Sequence, residues 1–240
     1  MTDPSDARSR TLARRRLRTK RTQRAPITLD DVVEAAFRLV NKDGIEKLTM
    51  RKLADELGIQ AASLYWHVKD KDELVDLLAE VLFADMDLSK IEESPSWRDN
   101  LWRFAHAFRA HLAGRRDSAQ ILANRFVLGP HVLAHLERLL GWLRQSGLDD
   151  QSVVYALYDT MVFVHGFVLW ETAPMSAQVA RGEPVQAYLE AVRAEIEELS
   201  DQDFPHTVAL AGLLTGPSND DRFEFGLDCL LTGMAARIRH

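Results

Sequence analysis

The 240-residue chain has one cysteine, Cys229. That excludes an intrachain disulfide and any cysteine-built zinc site, and it suits a reducing cytoplasm, where the protein is expected. Long hydrophobic runs are also missing. The longest apolar stretch, Met161 to Trp170, carries His165 and falls well short of the roughly 20 residues that a membrane-spanning helix needs. The N-terminus lacks the apolar core of a secretory leader. No membrane partner is expected. Period-two alternation does not persist anywhere, which argues against strands. A Gly-x-Ser-x-Gly elbow and a glycine-rich phosphate loop are both absent, so no catalytic residue and no cofactor is nominated.

Charge is present in quantity but unevenly spread. The chain carries a net charge of −6, an unpromising total for a nucleic-acid binder. Residues 1–24, however, hold nine Arg or Lys against Asp3 and Asp6, a local +7 that leaves −13 for the remainder. A basic arm on an acidic body fits phosphate contact, which is electrostatic and salt-sensitive; a merely solvated tail reads the same way. Residues 1–25 contain almost nothing apolar beyond Leu12 and Leu17, so they are expected to be disordered when free.

Beyond Pro26 the pattern is helical throughout. Thr28-Leu-Asp-Asp31 has the form of a capping box opening a helix to about Lys42, with Val32, Val33, Ala36, Phe37 and Val40 as its apolar stripe. Asp43-Gly44 ends it, and Ile45 and Leu48 anchor the following loop. Asp70-Lys-Asp-Glu73 opens another helix to about Asp85, with Leu74, Leu77, Leu78, Val81 and Leu82 facing inward. Residues 87–95 are polar and break the pattern. Further helices are predicted at about 96–113, 116–126, 130–146, 150–172, 184–199 and 218–238, with 173–183 and 200–217 as loops. The expected fold class is all-α, divided into a basic arm (1–25), a three-helix unit (26–86) and a larger helical domain (96–240).

The stretch Met50–Lys71 organises the rest. Met50, Leu53, Ala54 and Leu57 repeat at helical spacing, and Gly58 can end that helix in the left-handed conformation. A second short helix is predicted over Ala61–Val68, with Ala62, Leu64, Tyr65 and Val68 available for packing. Its other side displays Gln60, Ser63, Trp66 and His67. Two short helices joined by a glycine turn, the second exposing hydrogen-bonding side chains, form a helix-turn-helix suited to a DNA major groove. Packing of Trp66 in a core is the competing reading for that residue.

Thr49 to Gly58 followed by Ser63-Leu-Tyr-Trp-His-Val-Lys-Asp-Lys71 resembles the DNA-binding domain of the TetR family of repressors. A weaker likeness continues through Ser96-Trp97, Tyr155-Ala-Leu157, Gly166 and Phe225-Gly226-Leu227. The resemblance implies that Arg51 and Gln60, Ala61, Ala62 and Ser63 approach base edges. It also implies that Thr49, Tyr65, His67 and Lys71 hold phosphates, with Trp66 beside them. These roles fit the chemistry of bidentate arginine–guanine pairing, methyl contacts and charged or hydroxyl groups at phosphate oxygens. Ala61 and Ala62 depart from the tetracycline-sensing members, so a different operator is expected.

In the same comparison, the positions that hold a magnesium-bound drug in those members fall on Asp87, Phe104, Leu122, Leu139 and Trp170, with only an aromatic, Phe108, kept. Apolar side chains supply no metal ligands. A small apolar or aromatic inducer is therefore expected in place of tetracycline. The candidate contacts are Trp102, Phe104, Phe108, Leu122, Phe126, Leu139, His165 and Trp170, with Phe163 and Phe167 as further lining and His106 or Asp159 as further anchors. His131 and His135 stand four apart, a spacing that can share zinc, but the His-Glu-x-x-His pattern is absent and they are read as surface histidines; no metal site is predicted. Helices 150–172 and 218–238 are apolar on more than one side. Val153, Leu157, Met161, Val164 and Val168 form one stripe, and Phe223, Leu227, Leu230, Leu231 and Met234 form another. The resemblance implies that this helix pair makes a homodimer on a palindromic operator. Two alternatives stay open: a non-sensing DNA binder with a packed core, and an enzyme using Tyr158, Asp159 and His165.

Overall fold

In the computed structural model, the described residues are 26–123, 125, 127–173, 182–216 and 218–238. The basic arm and Phe126 lie outside them. Every regular element among these residues is helical. The first helix, α1 (Leu29–Asp43), starts where Thr28 accepts from the Asp31 amide while Asp31 accepts from the Thr28 amide, a reciprocal cap. Its buried side holds Val32, Val33, Ala35, Ala36, Leu39 and Val40. A 3-10 turn (Ile45–Lys47) leads to α2 (Met50–Leu57) and α3 (Ala61–Leu64), and then to α4 (Lys71–Asp85), which is capped by the Asp70 carboxylate accepting from Glu73 N at 2.9 Å.

A second 3-10 turn (Leu88–Lys90) precedes the larger group of helices: α5 (Trp97–Ala113), α6 (Ser118–Leu122), α7 (Pro130–Arg144) and α8 (Asp150–Thr172). These are followed by α9 (Val185–Glu197), α10 (Pro205–Ala209), α11 (Ala211–Thr215) and α12 (Asn219–Ala235). Helix α4 packs on α1 at one end and on α6 and α7 along its length, so one rigid rod ties the N-terminal helices to the rest. Helix α8 runs through the middle, against α5, α6, α7 and α12. By length and composition alone it could cross a bilayer. Burial of Val153, Ala156, Leu157, Val164 and Val168 against its neighbours marks it instead as a core helix.

The two stripes read as apolar in the sequence are the inward ones. Val153, Leu157, Val164 and Val168 of α8 and Phe223, Leu227, Leu231 and Met234 of α12 are buried within the subunit. A different set is exposed on the same helices: Val154, Tyr155, Tyr158 and Val162 on α8, and Phe225, which is 74% exposed, on α12. Gly226 allows α12 to approach α8, because a Cβ there would come within 2.7 Å of the Phe163 ring. Arg109 of α5 clamps this junction. It pairs with both carboxylate oxygens of Glu171 at 2.7 and 3.0 Å, reaches Asp220 at 2.8 Å and lies over the Phe167 and Phe223 rings.

Several boundaries differ from expectation. The predicted loop at 200–217 contains α10 and α11, since Pro205 pre-sets a first helical turn and the apolar run that follows packs among α9, α10 and α11. The helix expected over 116–126 is confined to Ser118–Leu122, starting after Asp117, whose backbone is left-handed at φ 57°. The second helix of the helix-turn-helix ends at Leu64 rather than Val68. The Trp66 and His67 amides bond back three residues, to Ser63 and Leu64, and so tighten the last turn.

Candidate DNA-reading surface and ligand core

Gly58 sits at φ 67°, ψ 35°, a left-handed cap from which the Ile59 amide reaches back to the Ala54 carbonyl at 3.0 Å. The chain thus turns sharply out of α2 and re-enters helix after Gln60, which is extended. Leu64 and Val68 are the anchors, 0% and 1% exposed. Ala62 and Tyr65 do not pack inward as expected; both are exposed, because Leu64 of the shortened helix and Val68 beyond its last turn are the side chains that face the core. Trp66 is 89% exposed, which removes the core-packing reading for it. Thr49 caps α2 by accepting from Lys52 N at 3.2 Å, and its side chain remains at the surface. Thr49, Arg51, Gln60, Ala61, Ala62, Ser63, Tyr65 and Trp66 are all exposed, with His67 and Lys71 half-buried beside them. The Lys71 ammonium donates to the Ile45 carbonyl at 3.3 Å, so it also fastens the turn before α2.

The helical core divides the predicted ligand contacts. Phe104, Phe108, Leu122 and Leu139 are buried, and His165 is half-buried with its Nε2 enclosed. Trp102 and Trp170 are not interior in the subunit, being 42% and 51% exposed. Trp102 stacks on His106 at 4.1 Å and donates to Glu224, while Trp170 lies under the Arg222 guanidinium. Their helices turn those positions outward, a rotation that spacing within one helix does not reveal. Phe163 and Phe167 gather with Phe223 into a cluster around Arg109, separate in composition from the Phe83–Phe108–Phe104 stack. Phe126 lies outside the described residues. Asp87 caps the 3-10 turn after α4 through Ser89. Tyr158 and Asp159 are exposed, whereas the free nitrogen of His165 is buried.

His135 is not a surface histidine. Its Nδ1 is buried without a partner, and it meets the Phe83 ring edge-on. Burial is the first cause holding His106, His111, His135 and His165 below the usual imidazole range. Among the described residues, no group of three or more metal-ligating side chains converges.

Contacts between the N-terminal helices and the core were not legible in the sequence. Arg116 donates to the Asn41 and Lys42 carbonyls at 3.1 and 3.0 Å, satisfying the open end of α1. Arg115 pairs with Asp85 at 2.6 Å and lies over the Phe37 ring. His111 bonds to the Leu82 carbonyl at 2.7 Å. All three come from the end of α5 and the turn after it, the helix that also carries Phe104 and Phe108.

The sequence pattern of bacterial regulatory proteins of the tetR family matches residues 32–78, and that of the tetracyclin repressor-like C-terminal domain matches residues 92–238. An HTH-type transcriptional regulator of Saccharopolyspora erythraea is 34% identical over 212 residues, covering 88% of this chain and 85% of that protein. The class A tetracycline repressor of Escherichia coli is 34% identical over 209 residues, covering 86% and 89%. Among solved structures, apo ActR of Streptomyces coelicolor superposes with a TM-score of 0.77 at 29% identity, covering 90% of this chain and 98% of that one. ActR in complex with actinorhodin gives 0.77 at 30% identity, covering 89% and 97%. With both halves matched and the helix-turn-helix in place, the chain belongs to the TetR family of transcriptional regulators.

Proposed function

We propose that this DNA-binding regulator is a cytoplasmic repressor that works as a homodimer on a palindromic operator and is released by a small molecule seated in its helical core. The observation that carries the reading is the exposed face of α2, α3 and the turn after them. There Arg51, Gln60, Ala61, Ala62, Ser63, Tyr65 and Trp66 stand free while Leu64 and Val68 hold the backbone. Arg51 and residues 60–63 meet base edges; Thr49, Tyr65, Trp66, His67 and Lys71 meet the sugar-phosphate backbone, joined by the basic arm of residues 1–25. Residues 26–86 form the reading head and 96–240 the sensing and dimerising part.

The exposed apolar residues of α8 and α12 supply the surface for a second copy. Two-fold symmetry then sets two reading heads about 34–36 Å apart, one turn of DNA. Relatives are named as tetracycline repressors, and ActR is known with actinorhodin bound, which supports a ligand in the corresponding core here. Phe104, Phe108, Leu122, Leu139 and His165 are its contacts within one subunit, with Trp102 and Trp170 nearer the surface. The contacts from α5 and Arg115–Asp117 onto α1 and α4 couple core to reading head. A ligand preferring one arrangement by on the order of 1–3 kcal/mol is enough to shift DNA affinity.

The test is a gel shift with genomic fragments, beginning upstream of the protein's own gene. A sequence-specific, salt-sensitive shift that weakens at least tenfold in Arg51→Ala, with unchanged folding, supports the reading. Absence of any specific shift overturns it.

A further inference from the structure

Two polar atoms are enclosed without a partner on opposite sides of one helix seam. Oε2 of Glu80, on α4, is one of them, and Nδ1 of His135, on α7, is the other. A buried polar atom left in this way lacks the hydrogen bond it had in water. The second Glu80 oxygen, Oε1, accepts from the His131 amide at 2.8 Å, so the carboxylate rests on the first turn of α7. Gly129 permits that approach, because a Cβ there would come within 1.9 Å of Oε2. Phe83, one turn along α4 from Glu80, meets the His135 ring edge-on with 5.8 Å between centroids.

His135 stands four residues after His131, on the same face of α7, and helical side chains lean toward the N-terminus. Its ring and the Glu80 carboxylate therefore share one stretch of the seam, and no hydrogen bond joins them. A neutral imidazole has one N–H, whereas an imidazolium has one on each nitrogen. Whichever nitrogen holds the hydrogen at neutral pH, uptake of a proton leaves Nδ1 a charged donor, with Oε2 as an acceptor of opposite charge. One proton can thus satisfy both atoms. Burial opposes its uptake most, the charges of His131 on α7 and His111 on α5 oppose it further, and Glu80 on α4 favours it. The ring is accordingly neutral at pH 7 and takes up its proton on the acid side.

We propose that the α4–α7 seam is a proton-operated latch, in which acid joins Nδ1–H of His135 to Oε2 of Glu80, draws α7 onto α4 and lowers affinity for the operator. This rests on the operator-binding reading above and adds a second signal to it. Arg125, in the segment before α7, already holds the same face of α4, pairing with Asp72 at 3.3 Å and Asp76 at 2.5 Å. Asp72, Asp76 and Glu80 follow one another at four-residue spacing along that helix. Closure at Glu80 therefore acts on a seam fastened at its other end, and it moves the rod that packs on α1 of the reading head.

The test measures affinity for the fragment found by gel shift, at pH 7.5 and pH 5.5 and fixed ionic strength, using fluorescence anisotropy. Native protein, His135→Phe and Glu80→Gln are compared, with circular dichroism at each pH. Nitrogen-15 NMR follows the His135 ring without DNA. Native affinity should be about tenfold weaker at pH 5.5, and the difference should shrink to about twofold in either variant. Nδ1 should bear a proton at pH 5.5, and Glu80→Gln should move the ring's titration to lower pH. Protonation of His67 at the phosphates would strengthen binding in acid, so the sign separates the latch from the reading surface. Equal or tighter native binding in acid, loss of native helical signal at pH 5.5, an undiminished difference in either variant, or a ring that stays neutral would each overturn the proposal. The native titration decides even if a variant fails to fold. With no specific fragment at either pH the regulator reading fails instead, and the response of the His135 titration to Glu80→Gln still supports or removes the pair.

Discussion

The Asp117 carboxylate accepts a hydrogen bond from the Ile45 amide at 2.7 Å, across 72 positions of chain. It comes from the turn between α5 and α6 and caps the 3-10 turn that precedes the helix-turn-helix. Its backbone is left-handed, a conformation Asp tolerates better than most residues. Asp117→Ala removes the cap and keeps the unfavourable backbone, so it should cost about 1–2 kcal/mol. The measurements are thermal unfolding and hydrogen exchange at Ile45, where faster exchange is expected. Asp117→Asn, which still offers an oxygen, should recover most of the loss. Unaltered exchange at Ile45 in the alanine variant would show that the contact holds nothing in place.

Gly58 is the second backbone position with a clear cost. At φ 67° a side chain bearing Cβ is strained, and Gly58→Val should destabilise the protein by about 1–2 kcal/mol. Since the strain falls between α2 and α3, operator affinity should drop along with the urea midpoint. A variant as stable as the native chain would mean the turn can reorganise without consequence.

The dimer surface can be tested by charge. Tyr158 is 67% exposed on α8, and Val162 lies one turn along on the same helix. Tyr158→Glu combined with Val162→Asp should yield a folded monomer in sedimentation, with helical content preserved and operator binding lost. A dimer that persists in the double variant would place the interface elsewhere.

Four half-buried histidines predict how stability follows pH. His106, His111, His135 and His165 all have folded-state values below the ordinary one of about 6.5, with burial the first cause in each. As pH falls through that ordinary value the unfolded chain takes up protons that the folded chain refuses. Stability is therefore full above it and declines below it. Urea unfolding should give a lower midpoint at pH 5.5 than at pH 7.5, and His165→Gln should flatten the difference. A midpoint that rises on acidification would contradict the burial of these rings.

Local patterns carried much of the architecture. The Thr28, Thr49 and Asp70 caps stand where side-chain chemistry puts them, because a cap is decided within four residues. Gly58 ends α2 for the same local reason. Where a segment's form depends on what it lies against, the reading failed: α10 and α11 fill a stretch read as loop, and α3 stops a turn early. Trp102 and Trp170 show a subtler limit. Their aromatic character was legible, but which side of a helix faces inward is set by the partners it packs against.

By itself, then, the order of residues determined an all-helical chain and its membership in a family whose helix-turn-helix motif is compact enough to be written in some twenty consecutive positions. Only the tertiary structure decided which apolar stripes of α8 and α12 turn inward. It alone brought Asp117 to Ile45 and set His135 against Phe83 and His165 against Phe108, each with an unpaired ring nitrogen. The reason is range: caps and periodicity act over a turn or two of chain, whereas burial and hydrogen-bond satisfaction depend on residues tens of positions away that meet only once the helices have packed.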